Sequence, residues 1–443
     1  MLKPGLKNSM GLRLGIIALL TLLLLIPATI IQSTIEERQE RHDSVINEIN
    51  QKWGTSQTLS GPVLSVPYRY YYRNAEDEIR SSINYMHFLP SNLQITGKVN
   101  PEIRYRGIYE AVLYNSEIAF TGSFKSLDYK KFKIPEKDIL WDDAFVAIGI
   151  SDMKGIQDLI SLQWNDSTIE PNPGIATNEV LNAGISAPIS ITPNKVENTF
   201  NFKININGSS GLYFTPVGQE TNVKISSSWK DPSFIGTFIP DEHKIKENGF
   251  TANWKILHLN RNYPQQWMGG QYKINSSTFG VDLLLPVDEY QKTMRTTKYA
   301  IMFISLTFLA FFMIELLNKK VLHPIQYLLI GFALLLFYIL LLSLTEHILF
   351  KFAYIIAAVA NVGLITAYTR GVLKHYLQTV LIFAVLTILY GYLYVVLQLQ
   401  DFALLMGSIG LFVILAVVMY LTRKIDWFTI LKGEKTEDST SSF

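Results

Sequence analysis

The stretch that decides the fold is YAIMFISLTFLAFFMIELL at 299–317, followed by IQYLLIGFALLLFYILLLSL at 325–344. Each run holds about 20 predominantly apolar residues, the length that an α-helix needs to cross a bilayer. Three similar runs follow at Ile348–Tyr368, Leu377–Leu397 and Phe402–Leu421. Because only short links join these runs, the sequence predicts five antiparallel transmembrane helices over 299–421.

A sixth apolar run, LRLGIIALLTLLLLIPATII at 12–31, follows a positively charged N-terminus, 1–11. It is longer than the apolar core of a signal peptide, about 7–15 residues, and no small-residue cleavage motif follows it. We therefore expect an uncleaved transmembrane anchor. In the next segment, 32–54, apolar residues recur at helical spacing, which predicts a stalk helix.

The short loops predict the direction of each span, because lysine and arginine favour the cytoplasmic side. Such residues occur at 319–320, at 370 and 374, and at 423–424, whereas the alternate links at 345–347 and 398–401 contain none. The pattern predicts six spans with both termini in the cytoplasm, including the tail at 422–443.

Residues 55–298, on the outer side in this arrangement, alternate β-branched or aromatic residues with polar ones. Examples are NLQITGKV at 92–99 and TFNFKINING at 199–208. A period of two is typical of half-buried strands, and turn-forming residues separate the runs. We expect a large, mainly antiparallel β domain outside the membrane.

Composition excludes several kinds of chemistry. The chain of 443 residues contains no cysteine, so disulfides, thiolate metal sites and cysteine nucleophiles are absent. A formal charge of +2 without a long basic block argues against a nucleic-acid partner. Since no P-loop, G-x-S-x-G or H-E-x-x-H motif occurs, we predict no cofactor, no metal and no enzymatic activity.

Two arginines are candidate binding residues in the β domain. Arg104 and Arg106 are two positions apart and therefore share one strand face. They are suited to holding an anionic group, such as a lipid phosphate or a cell-wall carboxylate, by bidentate bonds. The alternative, which we favour, is that they pair with carboxylates of the same domain.

Charged residues near the membrane are a second set of candidates, because charge within lipid is costly. The set consists of Glu315, His323, Glu346, His347 and Lys351, with Asp401 at the start of the last run. An ion or proton route would need polar groups that join the two faces of the membrane. These residues cluster at the ends of the runs instead, so we favour interfacial anchoring and pairing between helices.

The order of several motifs resembles the CreD family of bacterial inner-membrane proteins, called cell envelope integrity proteins. The resemblance covers nearly the whole chain. Its motifs are GPVLSVPY at 61–68, FLPSNLQITGKVNPEIRYRGIYEAVLY at 88–114, GISDMKGI at 149–156, SSWKDPSFIGTFIP at 227–240, GFTANW at 249–254, FGVDLLLPVDEYQKTMRTTKYAIMFISLTFLAFFMIELL at 279–317 and LHPIQYLLIGFALLLFYILLLSLTEHI at 322–348.

This resemblance implies a location in the inner membrane, a periplasmic domain and a role in envelope integrity or stress adaptation. It implies a link to a two-component response and to tolerance of agents that attack the cell wall, but it carries no established reaction. We expect a non-enzymatic envelope protein whose β domain binds a cell-wall, lipid or protein partner. The alternatives are a transporter or lipid-handling channel and, third, a membrane-bound periplasmic hydrolase.

Overall fold

The computed structural model describes residues 10–193, 195–283, 289–318, 322–398 and 403–423. The chain divides into two compact units. The helical unit consists of Met1–Arg41 and Val287–Phe443, and the sheet unit is His42–Pro286. The helices are α1 (Met10–Trp53), α2 (Glu289–Lys298), α3 (Ala300–Asn318), α4 (Pro324–Thr345), α5 (Phe350–Leu373), α6 (Tyr376–Gln398) and α7 (Ala403–Thr422).

Four of the described helices, α1, α4, α5 and α6, are long and apolar enough to cross a membrane. Lys292–Lys298 and Ala300–Leu316 meet at a bend of 48° and together qualify as a fifth span. The described apolar part of α7, Leu405–Tyr420, is shorter. The structure thus supports four or five spans where the sequence predicts six.

Side chains of α1 and of α3 to α6 form one hydrophobic core in the helical unit. Gly331 of α4 has no side chain to separate it from α1, and a Cβ at this position would lie 2.2 Å from Leu24 Cδ1. Close approach through a small residue is typical of helices that associate in lipid. The N-terminal anchor therefore packs as part of the helical core.

The sheet unit contains two sheets. Its strands are β1 (Gln57–Arg73), β2 (Ile79–Phe88), β3 (Asn92–Arg106), β4 (Tyr109–Lys125), β5 (Phe145–Ile150), β6 (Leu162–Trp164), β7 (Ser167–Ile169), β8 (Asn172–Pro173), β9 (Gly184–Pro188), β10 (Glu197–Ser209), β11 (Gly211–Thr215), β12 (Glu220–Ser227), β13 (Pro232–Gly236), β14 (Glu242–Lys246), β15 (Gly249–Leu257), β16 (Gln266–Met268) and β17 (Phe279–Leu283).

One sheet has nine strands, in the order β13-β17-β11-β1-β5-β9-β8, with β2 paired to β1 and β16 paired to β2. The other has eight, in the order β14-β15-β12-β3-β4-β10-β6-β7. Most neighbours are antiparallel, but β1 pairs with β11 and β3 pairs with β12 in parallel. The domain is therefore a mixed-sheet domain rather than a simple antiparallel one.

The apolar residues of both sheets meet in a single core. In β3, Leu93 and Ile95 are buried while Gln94 and Thr96 between them are exposed. The same alternation in β10 buries Phe200 and Phe202. Because successive side chains of a strand point to opposite faces, one face of the eight-stranded sheet lines the core and the other faces solvent.

Gly54 directly follows the last residue of α1 and begins the short link to β1. Its φ of 145° lies in a region that side chains rarely adopt, and a Cβ there would lie 2.8 Å from the carbonyl oxygen of Asn207. The preceding Trp53 donates its indole N–H to the carbonyl oxygen of Tyr114 at 3.2 Å. The last turn of α1 is thereby joined to the eight-stranded sheet.

Candidate functional site

A groove of about 630 Å³ lies on the solvent face of the eight-stranded sheet. Strands β3, β12 and β15 form its floor, and Asp241 and Glu242 lie along its side. Its polar lining residues are Gln94, Thr96, Asn222, Lys224, Asp241, Glu242, Asn253, Lys255 and Asn260. Two lysines balance two carboxylates, so the groove combines amide groups with a near-zero net charge.

Hydrogen bonds hold several groups at the edge of the groove. Glu220 accepts a hydrogen bond from the Asn222 amide at 2.9 Å and lies 3.4 Å from the Lys255 ammonium. The hydrogen bond from Asn222 and then the contact with Lys255 lower the pKa of Glu220. The carboxylate is therefore ionised at neutral pH and contacts both neighbours.

The side-chain carbonyl oxygen of Asn253 is buried, and no hydrogen-bond donor from the described residues reaches it. A buried acceptor without a partner is unfavourable, because it has lost its hydrogen bonds to water and forms none within the protein. Asn253 lies in the lining of the groove.

The two predicted arginines lie near the Gly107 turn between β3 and β4, outside the groove. Arg104 donates to Glu102 at 2.6 Å, and its guanidinium lies 4.1 Å from the centre of the Trp53 ring. Arg106 forms an ion pair with Glu48. Both arginines thus bond to carboxylates of their own unit, and the pairs are exposed.

A chain of three polar side chains, two of them buried, links two strands of the nine-stranded sheet to the segment around Glu179. Ser65 of β1 lies opposite His87 of β2, with its hydroxyl oxygen 2.9 Å from Nδ1. Nε2 of His87 lies 2.8 Å from a carboxylate oxygen of Glu179. An ionised carboxylate only accepts, so Nε2–H donates to Glu179 and the Ser65 hydroxyl donates to Nδ1.

This chain contains the residue types of a serine hydrolase, but its serine and histidine are enclosed. Ser65 is only 2% exposed, and the His87 side chain is fully buried. Tyr85, Phe145 and Trp267 surround these residues with aromatic rings. Burial lowers the pKa of His87, and the bond to Glu179 opposes this shift. The arrangement therefore supports a structural role, in which His87 attaches the segment around Glu179 to the sheet.

In the helical unit, Glu315 is the one predicted residue among those described whose charged side chain is buried in an ion pair. Its side chain is 2% exposed and lies 3.0 Å from the Arg13 guanidinium of α1. Its second oxygen accepts the hydroxyl proton of Tyr327 at 3.0 Å. The carboxylate therefore joins α1, α3 and α4, as expected for pairing between helices.

The other predicted membrane residues lie at helix ends. His323 caps α4, where Nδ1 accepts the backbone N–H of Ile325 at 3.3 Å. Glu346 ends α4 and lies 3.7 Å from Arg38 in a partly exposed pair. His347 lies between α4 and α5, and Lys351 lies in the first turn of α5. Both side chains are exposed. Asp401 lies outside the described residues.

Comparison with known proteins decides the family. A sequence profile of the family described as "Inner membrane protein CreD" matches residues 9–428. The chain is also 34% identical, over 430 residues, to the inner membrane protein CreD of Escherichia coli strain K12. That alignment covers 95% of this chain and 94% of its relative.

The chain belongs to the CreD family. This membership, together with the apolar helices, establishes a multi-pass inner-membrane protein of the bacterial envelope. It also agrees with the resemblance drawn from the motifs above. As a member of the CreD family, the chain combines helices that lie in lipid with a sheet unit that exposes a polar groove.

For this CreD-family chain, sequence reasoning missed the partners of its candidate residues. Arg13 is the second residue of the N-terminal apolar run and Tyr327 lies within another, so neither stands out by type. The buried positions of Ser65 and His87 become visible only once β1 and β2 are paired in register. Alternation in β3, β12 and β15 does mark the groove residues as solvent-facing, although it does not mark them as neighbours.

The described residues also contain no group of three or more histidine, aspartate or glutamate side chains placed to hold a metal ion. Asp241, Glu242 and His243 are adjacent in sequence, but alternation directs Glu242 and His243 to opposite faces of β14. The polar groove and the enclosed Ser65 chain are thus the two features of the sheet unit on which function can be argued.

Proposed function

We propose that this CreD-family chain is a non-enzymatic protein of envelope integrity and stress adaptation. In this proposal its sheet unit lies in the periplasm and binds an envelope partner from the cell wall, a lipid or a protein. The helices hold this unit at the membrane. The observation that carries the proposal is the polar groove on the free face of the eight-stranded sheet, which exposes amide, lysine and carboxylate side chains to solvent.

Charge supports the proposed orientation. Arg13 lies at the start of α1, Arg370 and Lys374 lie at the end of α5, and Arg423 follows α7. All four lie on the cytoplasmic side if the chain crosses the membrane six times, with α2 and α3 as one span and α7 as the last. Both termini are then cytoplasmic.

The absence of catalysis is also part of the proposal, and the enclosed Ser65 supports it. A hydrolase needs a nucleophile that its substrate can reach and hydrogen-bond donors for the developing oxyanion. Ser65 is 2% exposed and aromatic rings cover its histidine. The groove, by contrast, is open to solvent and holds groups suited to binding.

A transporter is the alternative. It would need a polar route through the helices that includes Glu315 or Asn361. Asn361 instead donates to the hydroxyl of Tyr390 at 2.6 Å, and Tyr354 donates to the Tyr390 carbonyl oxygen at 2.7 Å. The clusters around Glu315 and Asn361 share no residue, and both are closed by internal hydrogen bonds.

Crosslinking in living cells tests the proposed role. A photoreactive amino acid at Asn222, in the groove, should capture a stoichiometric envelope component that mass spectrometry identifies as glycan, lipid or protein. The same group at Leu159, which is 93% exposed and lies away from the groove, is the matched control. No adduct at Asn222, or the same adducts at both positions, would contradict a specific partner at the groove.

A further inference from the structure

The solvent face of the eight-stranded sheet carries a continuous row of polar side chains. Following the strand register from β15 to β7, the directly opposed residues are Lys255, Asn222, Gln94, Thr121, Asn201, Gln163 and Thr168. We call this set the polar row. It passes through the groove at one end and crosses seven strands.

The row is long. Neighbouring strands lie about 4.8 Å apart, so six steps span about 29 Å. Its members are exposed or half-buried, whereas several of their neighbours along the strands, such as Phe200 and Phe202 beside Asn201, are in the core. The row therefore offers a regular series of hydrogen-bonding groups to a linear ligand.

The chemistry of the row is nearly uncharged. Four members are amides, two are hydroxyls and one is a lysine. The next row along the strands is different, since Glu242, Asn253, Lys224, Thr96, Ala119 and Lys203 follow one another there. Asparagine is depleted in strands, yet Asn201 and Asn222 occupy strand interiors in the polar row.

These features point to one kind of ligand. Amides donate and accept at the same site, as the hydroxyl and acetamido groups of sugars do. Anionic lipid and nucleic acid need clustered basic groups, and an apolar peptide needs exposed apolar side chains. The polar row provides neither. Its strand spacing is comparable to the repeat of one sugar along an extended β-linked glycan.

We propose that the polar row and its groove bind an extended glycan strand that carries hydroxyl and acetamido groups. Within the groove, the exposed amide of Gln94 and the half-buried amide of Asn222 are placed to bond the hydroxyl and acetamido groups of the sugars. This inference rests on the proposed function, because it names the envelope partner proposed there. Cell-wall glycan and surface polysaccharide both have this chemistry.

Calorimetric titration of the full-length protein in detergent tests the proposal. The probe is a hexamer of β-1,4-linked N-acetylglucosamine. We expect binding of the hexamer, weaker binding of the corresponding dimer, and weak binding of a glucose hexamer that lacks acetamido groups. Equal binding of both hexamers would overturn the acetamido part of the proposal, and no hexamer binding would overturn the whole.

Substitutions locate the site. Gln94→Ala and Asn222→Ala should each weaken hexamer binding about tenfold, because the sugar groups that they bond are left without partners. Asn100→Ala is the matched control, since Asn100 is exposed on the same face of β3, about 20 Å from Gln94 along the strand. Unchanged binding in the first two variants, or an equal loss in the control, would contradict the assignment.

A second pair of probes separates the two glycan sources. Purified cell-wall glycan strands and a capsular polysaccharide with acetamido groups are compared as competitors of the hexamer. Binding is measured on purified protein and does not depend on orientation in the cell. If the hexamer does not bind, the glycan proposal fails but the periplasmic location is unaffected. If the sheet unit binds the hexamer but lies in the cytoplasm, only the proposed function is refuted.

Discussion

Arg13 and Glu315, 302 positions apart in the chain, form an ion pair with 3.0 Å between nitrogen and oxygen, in which the Glu315 side chain is buried. The pair links the N-terminal helix to the third helix, and the hydroxyl of Tyr327 completes it from the fourth. A carboxylate that is 2% exposed needs such partners, since an unpaired charge in this environment is strongly unfavourable. The anchor is therefore an integral part of the helical unit.

Breaking this ion pair should destabilise the helical unit. We expect Arg13→Ala to lower the free energy of unfolding by about 3 kcal/mol, because Glu315 is left buried without its charge partner. Unfolding of the detergent-solubilised protein in increasing denaturing detergent measures the effect. The exchanged pair Arg13→Glu with Glu315→Arg should recover part of the loss.

Glu346→Gln is the matched control for that experiment. Glu346 lies 3.7 Å from Arg38 in a partly exposed pair, and such pairs contribute about 0–1 kcal/mol. A loss as large as that of Arg13→Ala would show that the effect does not come from burial.

The buried His87 should make the sheet unit less stable in mild acid. Burial lowers the pKa of His87 below its value in the unfolded chain, about 6.5. As pH falls below about 6.5, the unfolded state binds a proton that the folded state does not, so the free energy of unfolding decreases. Tryptophan fluorescence measures this, since six of the seven tryptophans lie in the sheet unit.

His87→Gln should weaken this pH dependence, because it removes the titrating group. His243→Gln is the control, since His243 is exposed on β14 and should leave the dependence intact. Equal slopes of stability against pH in the wild type and His87→Gln would show that His87 does not govern the response.

Ser65 should not react as a nucleophile. Because its hydroxyl is enclosed and donates to His87, a fluorophosphonate probe should leave the folded protein unlabelled. Intact-protein mass spectrometry measures labelling, and Ser65→Ala provides the blank. Labelling of the wild type that disappears in Ser65→Ala would revive the hydrolase alternative.

Hydropathy predicted much of the helical unit, because lipid imposes a simple requirement on length and polarity. The predicted run 325–344 lies within the helix Pro324–Thr345, and 377–397 lies within Tyr376–Gln398. The bend of 48° before Ala300 did not follow from hydropathy, which reports apolar content and not the direction of the helix axis.

The sheets were less predictable. Alternation shows which residues of a strand face solvent, but the pairing of β1 with β11 and of β3 with β12 joins segments far apart in the chain. The candidate site depends on that pairing. Gln94, Asn222 and Lys255 become neighbours only through two registers, which no local pattern specifies.

The most direct test is to determine on which side of the membrane the sheet unit lies. Because the chain has no cysteine, Leu159→Cys and Ser442→Cys give two single-cysteine proteins for labelling of intact spheroplasts with a membrane-impermeant maleimide. We predict labelling of Leu159→Cys in intact spheroplasts and of Ser442→Cys only after lysis. The opposite pattern would contradict a periplasmic sheet unit and the envelope partner proposed for it.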